Sequence, residues 1–108
     1  QFYLEGEFKL YHNFYKPYQL DEVGVGKVVL TINAFYYEGT IAGKQIKKEF
    51  KLDRLTQLPF EVNSHFDIPD DDGCFEFKPL KGQRTSIIIE FVQAIEVMYQ
   101  MRKSEQND

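Results

Sequence analysis

The sequence predicts a mainly β domain of some seven short strands joined by hairpins and capped by one C-terminal helix. Three observations carry this expectation. Apolar residues alternate with polar ones from Phe2 onward, the period of a half-buried strand. Turn signals recur along the chain, at Thr31–Ala34, Ala42–Lys44 and Asp70–Gly73. After Gly82 the apolar period lengthens to that of a helix.

Phe2, Leu4, Gly6, Phe8 and Leu10 alternate with Tyr3, Glu5, Glu7, Lys9 and Tyr11, giving a first strand with one buried face. Asn13 to Gly26 contains Pro17, Asp21, Glu22, Gly24 and Gly26 and is expected to be a long loop. It is rich in aromatics, with Phe14, Tyr15 and Tyr18. Lys27–Thr31 starts a β-branched strand. Asn33 suits the following turn because it tolerates left-handed backbone, and Phe35–Gly39 returns. Beyond the turn at Ala42–Lys44, a strand from Gln45 to Leu52 places Ile46, Phe50 and Leu52 on one face. Leu58, Phe60 and Val62 mark a short strand, which Pro59 assigns to an edge or a strand start. Phe66 and Ile68 belong to the next. Asp70-Asp71-Asp72-Gly73 makes a turn, since Asp-Gly is a strong hairpin signal, and Cys74–Lys78 follows with Phe75 and Phe77 on a shared face. Ile88, Phe91, Val92, Ile95, Met98 and Tyr99 then fall at i, i+3, i+4, i+7 spacing. Thr85 or Ser86 is the expected N-cap, and Arg102 and Lys103 suit the helix C-terminus. One apolar stripe is what a helix needs to plug the open end of a small barrel.

At 108 residues one hydrophobic core is expected. A composition 43% hydrophobic and 16% aromatic excludes a disordered tail. The longest apolar run, Ile87–Ile89, is far below the roughly 20 residues of a membrane span. A start at Gln1 and the polar run Arg102–Asp108 suggest part of a longer chain, with residues 1–103 as a single domain and 104–108 as a polar tail or linker remnant. Cys74 is the lone cysteine, so no internal disulfide forms, compatible with a reducing cytoplasm. A net charge of -4 argues against nucleic acid as partner. The charge is uneven: Ile41–Arg54 carries five basic and two acidic residues, Glu61–Glu76 six acidic and no Lys or Arg.

Linear motifs for chemistry are weak. An EF-hand register with Gly73 at position 6 puts Ile68 and Pro79 where acidic ligands belong, so Asp70–Asp72 reads as a solvated hairpin tip. Cys74, His12 and His65 lack the paired spacing of a zinc site, and no metal or other cofactor is expected. Cys74 and His65 could neighbour each other as a nucleophilic pair, but acidic surroundings raise a thiol pKa. Gly24-Val25-Gly26-Lys27 lacks the spacing and helix of a phosphate loop. No catalytic residue is expected.

Gly26–Gly39, with Leu30-Thr31-Ile32-Asn33 before the turn and Phe35-Tyr36-Tyr37-Glu38-Gly39 after it, resembles the GRAM pattern within the pleckstrin-homology (PH) superfold. Ile32, between Thr31 and Asn33, departs from that pattern. Leu55–Pro59 and Phe66–Phe77 look like small accessory domains of Firmicutes proteins, and the resemblance spans about residues 26–100. It implies a seven-stranded, partly open β-barrel capped by one C-terminal helix. It further implies an accessory domain C-terminal to membrane-associated lysophospholipid acyltransferases. A shared superfold does not fix function.

The expectation is therefore a noncatalytic accessory or interaction module that docks on another domain of its chain or a partner protein. Phe14, Tyr15 and Tyr18 are its candidate partner-binding residues. Its location would be cytoplasmic, with the inner face of the membrane as the further option. The alternative is direct binding of anionic lipid, through Lys44, Lys47, Lys48 and Lys51, or of a small ligand under the aromatic loop. The PH headgroup site needs converging cations, and Lys16 and Lys27 face Asp21 and Glu22 in composition.

Overall fold

The computed structural model describes residues 2–14, 19–52, 60–62, 65–70 and 73–106. Its strands are β1 (Tyr3–Phe14), β2 (Gln19–Thr31), β3 (Phe35–Ile41), β4 (Lys44–Glu49), β5 (Phe60–Val62), β6 (His65–Asp70) and β7 (Gly73–Pro79). They form one antiparallel sheet in the order β4-β3-β2-β1-β7-β6-β5. The sheet is open among the described residues, with β4 and β5 as its edges. A single helix, α1 (Ile87–Gln106), follows.

Strand alternation sets the core. Leu4, Phe8 and Leu10 of β1 are buried while Glu5, Glu7 and Lys9 are exposed. Phe66 and Ile68 of β6 lie opposite Phe77 and Phe75 of β7, and together with Phe8 and Tyr37 they build an aromatic cluster. Phe8 meets Phe66, Phe91 and Phe77 edge-on at 5.4, 5.5 and 6.0 Å, the geometry that ring quadrupoles favour. Helix α1 adds Ile87, Ile88, Phe91, Ile95 and Met98 on one stripe.

Both hairpin turns around β3 fall where expected. Thr31 N–H donates to the Ala34 carbonyl at 2.8 Å, and the Thr31 hydroxyl accepts from Asn33 and Ala34 N–H at 3.2 and 3.0 Å. Ala42 and Gly43 have φ of 53° and 81°, the left-handed pair that matches strand twist in a two-residue hairpin.

Three boundaries differ from the sequence reading. β4 ends at Glu49, short of the expected Leu52. Gln19–Gly26 is strand, not loop, and pairs with β1 as far as Phe14↔Gln19. Gly24 and Gly26 are glycines because β3 approaches β2 closely there, and the register slip at Leu10/Tyr11 leaves Val23 as the extra residue. Phe14 accordingly ends β1, also opposite Gly73 of β7, instead of lying in a loop. Its ring, like Tyr15 and Tyr18, lies outside the described residues. At the other end, α1 runs on through Ser104, Glu105 and Gln106, which the sequence assigned to a polar tail. Glu and Gln are good helix formers, so an exposed last turn needs no apolar anchor. Arg102 fixes that end by donating to the Ile32 carbonyl at 2.8 Å.

Ser86 stands just before the helix, as anticipated for a cap, but its hydroxyl donates to Glu90 Oε2 at 2.6 Å. Arg84 grips the same carboxylate with two bonds of 2.7 and 2.8 Å. Those two donors hold Glu90 down at about 2, with Arg84 the larger influence.

Candidate functional site

The β6–β7 hairpin presents two faces of opposite chemistry. Phe66, Ile68, Phe75 and Phe77 turn to the core, so strand alternation sends His65, Asp67, Cys74 and Glu76 to the other side. The register sets Asp67 directly opposite Glu76. His65 Nε2 lies 3.3 Å from Asp67 Oδ1 and 3.7 Å from Glu76 Oε2. This face is not solvated: Asp67 is 6% and Glu76 7% exposed. Asp67 Oδ1 accepts no hydrogen bond among the described residues; the nearby His65 nitrogen lacks the alignment for one.

Two carboxylates facing each other out of water repel. Burial first, and Glu76 second, push Asp67 up to about 6, with His65 pulling the other way. The same two causes act on Cys74. Burial, then Asp67 and Glu76, raise its thiol to about 11, so it is a protonated, inert thiol at neutral pH and not the nucleophile of a Cys–His pair.

Asp67 therefore makes a testable contribution to stability. Its folded pKa lies above the unfolded value, so the folded state binds more protons between about pH 4 and 6. Stability from this group is highest below pH 4 and falls as pH rises through 6. In a chelating buffer, Asp67→Asn should stabilise the protein at pH 7 by about 2–3 kcal/mol and give no gain near pH 3.5. Denaturant titrations of both proteins at the two pH values check this; a pH-independent difference would contradict it.

Comparison with protein-family models, curated proteins and solved structures finds no match.

The lysine strip does not share one face. β4 alternates, with Ile46 and Lys48 half-buried and Lys47 and Glu49 exposed. Lys48 lies over the Phe75 and Phe50 rings at 5.3 and 5.9 Å. Lys47 covers Tyr36 on the opposite face at 4.3 Å. Lys51 is 3.8 Å from Glu49, and Lys44 is exposed at the turn. Tyr37 is fully buried, its hydroxyl donating to the Thr40 carbonyl at 2.7 Å. A cleft of about 130 Å³ lies between β3, the end of β4 and Arg102. It shares no residue with the His65 cluster. No helix among the described residues is long and apolar enough to cross a membrane.

Linear spacing weighs Asp67–Glu76 only as a calcium loop and His65 only with Cys74, so it does not bring His65, Asp67 and Glu76 into one cluster. The signal that unites them was present: once Phe66 and Phe77 share the core face, Asp67 and Glu76 must share the other.

Proposed function

We propose that this chain is a noncatalytic PH/GRAM-like accessory module of a larger, membrane-associated bacterial protein of the glycerolipid acyltransferase kind, and that it works by contact with a neighbouring domain or partner protein. The observation that carries the reading is the order of elements. Each strand pairs with the next from β1 to β4 and from β5 to β7, β1 also pairs with β7, and a single terminal helix lays Phe91 and Ile95 into the core. A seven-stranded, partly open barrel with a helical plug has that order. The inert Cys74 thiol and the Lys residues engaged with Tyr36, Phe75 and Glu49 weigh against catalysis and against a dedicated anionic-lipid site.

Apolar anchors dominate docking interfaces, whereas rim charges add little. Phe14→Ser with Tyr18→Ser is therefore expected to impair the parent protein while leaving the isolated domain folded by circular dichroism. Lys47→Glu with Lys51→Glu should do much less. Membrane recruitment by charge has the reverse signature: sedimentation with anionic liposomes that weakens with salt and is lost in the lysine variant. That outcome would replace the docking reading with lipid binding. Unfolding by the aromatic changes would make those rings core and move the interface elsewhere.

A further inference from the structure

We propose that His65 Nε2, Asp67 Oδ1 and Glu76 Oε2 together bind one divalent transition-metal ion of the zinc class, leaving a fourth position open to water or to a ligand from elsewhere. The proposal departs from the expectation based on linear spacing and does not depend on the accessory-module reading.

The first argument is distance. A tetrahedral ion with bonds of about 2.0–2.1 Å holds its ligand atoms about 3.3 Å apart. The imidazole nitrogen stands 3.3 Å from one carboxylate oxygen and 3.7 Å from the other. All three ligand atoms fit within 4.8 Å of one another. Closing on an ion requires only small side-chain rotations, because the strand register already places Asp67 against Glu76.

The second argument is independent of spacing. Asp67 is more than nine-tenths buried, and its Oδ1, facing this cluster, accepts no hydrogen bond among the described residues. A buried polar atom left unsatisfied is costly and calls for a partner, an ion included. A cation answers that need and also screens the repulsion between the two carboxylates.

The donor set selects the ion. One imidazole with two carboxylates suits zinc and its first-row neighbours. Calcium wants six to eight oxygens and magnesium an octahedron of oxygen ligands, neither of which three groups including a histidine supply. Bound here, the ion would staple β6 to β7 from the face opposite the aromatic core. Cys74 is not one of the proposed ligands.

The chelator-stripped 108-residue chain should be titrated with Zn²⁺ by calorimetry and with Co²⁺ by visible absorption. The expected result is one saturable site per chain, the intense visible bands of tetrahedral Co²⁺, and a melting temperature that rises to a plateau with Zn²⁺. Glu76→Gln and His65→Ala should each weaken Zn²⁺ by more than the roughly 10–100-fold that loss of an outer-shell partner brings. Asp67→Asn, expected to be the more stable protein without metal, should lose the Zn²⁺-dependent rise, which separates ligation from folding. Cys74→Ser should bind as the wild type does. Absence of saturable Zn²⁺ binding, an octahedral Co²⁺ spectrum, or binding undiminished in both Glu76→Gln and Asp67→Asn would overturn the proposal. Loss of binding in Cys74→Ser would overturn the ligand set.

Discussion

Phe91→Ala should cost about 3–5 kcal/mol of folding free energy, the range for removing a fully buried aromatic ring. Phe91 is fully buried. Its ring stacks on Phe66 at 5.7 Å with an interplanar angle of 13° and meets Phe8 nearly at right angles at 5.5 Å. Phe8 comes from the centre of the sheet and Phe66 from the strand next to an edge, so one side chain ties the helix to both β1 and β6. The hole left by alanine would be lined by rings that also pack on one another, such as Phe66 on Phe77 at 5.0 Å. They cannot collapse inward without leaving those contacts, so the cavity cost persists in full. Val97→Ala is the matched control: Val97 is 56% exposed on the same helix, and its loss should fall within about 0.5 kcal/mol. Urea or guanidinium unfolding of the three proteins measures both. A Phe91→Ala loss under about 1 kcal/mol would mean that α1 does not plug the core.

The features that chain period alone determines were legible. The alternation Leu4–Phe8–Leu10, the shared face of Phe75 and Phe77, and the helical stripe through Phe91 and Ile95 are local patterns, and the structure contains each of them. Features that depend on which strands meet were not. Asp21, Glu22, Gly24 and Gly26 have loop composition, yet they lie in β2 because the glycines answer the proximity of β3, a fact about a partner strand. Lys44, Lys47, Lys48 and Lys51 form a strip in one dimension, and strand alternation then sends Lys47 and Lys48 to opposite faces. The His65 cluster has the same origin. Its histidine and two carboxylates span twelve positions of chain, and only the hairpin register joins them. The Asp71-Asp72 turn tip, the Phe14 ring, Tyr15, Tyr18 and the Leu55–Pro59 segment fall outside the described residues.

Gly24→Ala should destabilise by at least about 3 kcal/mol, at or beyond the upper end of ordinary overpacking. The direction is informative, because Gly→Ala at an unstrained and open position stabilises by about 0.4–1 kcal/mol through the unfolded chain. Here a Cβ on Gly24 would overlap the Thr40 carbonyl oxygen and come within 3.0 Å of the Tyr37 hydroxyl. The obstacle is backbone, so no rotamer change relieves it and β2 must move away from β3. That movement breaks a connected set of bonds. Ala42 N–H donates to Val23 O at 2.8 Å and Val25 N–H to the Thr40 hydroxyl at 3.0 Å. Gly43→Ala provides the contrast. Gly43 has φ of +81° and nothing near its missing Cβ, so alanine there meets only the left-handed backbone cost of about 1–2 kcal/mol. Chemical denaturation should therefore rank Gly24→Ala clearly below Gly43→Ala in stability. Equal losses, or a gain at Gly24, would mean that β2 and β3 do not approach each other as closely as their glycines imply.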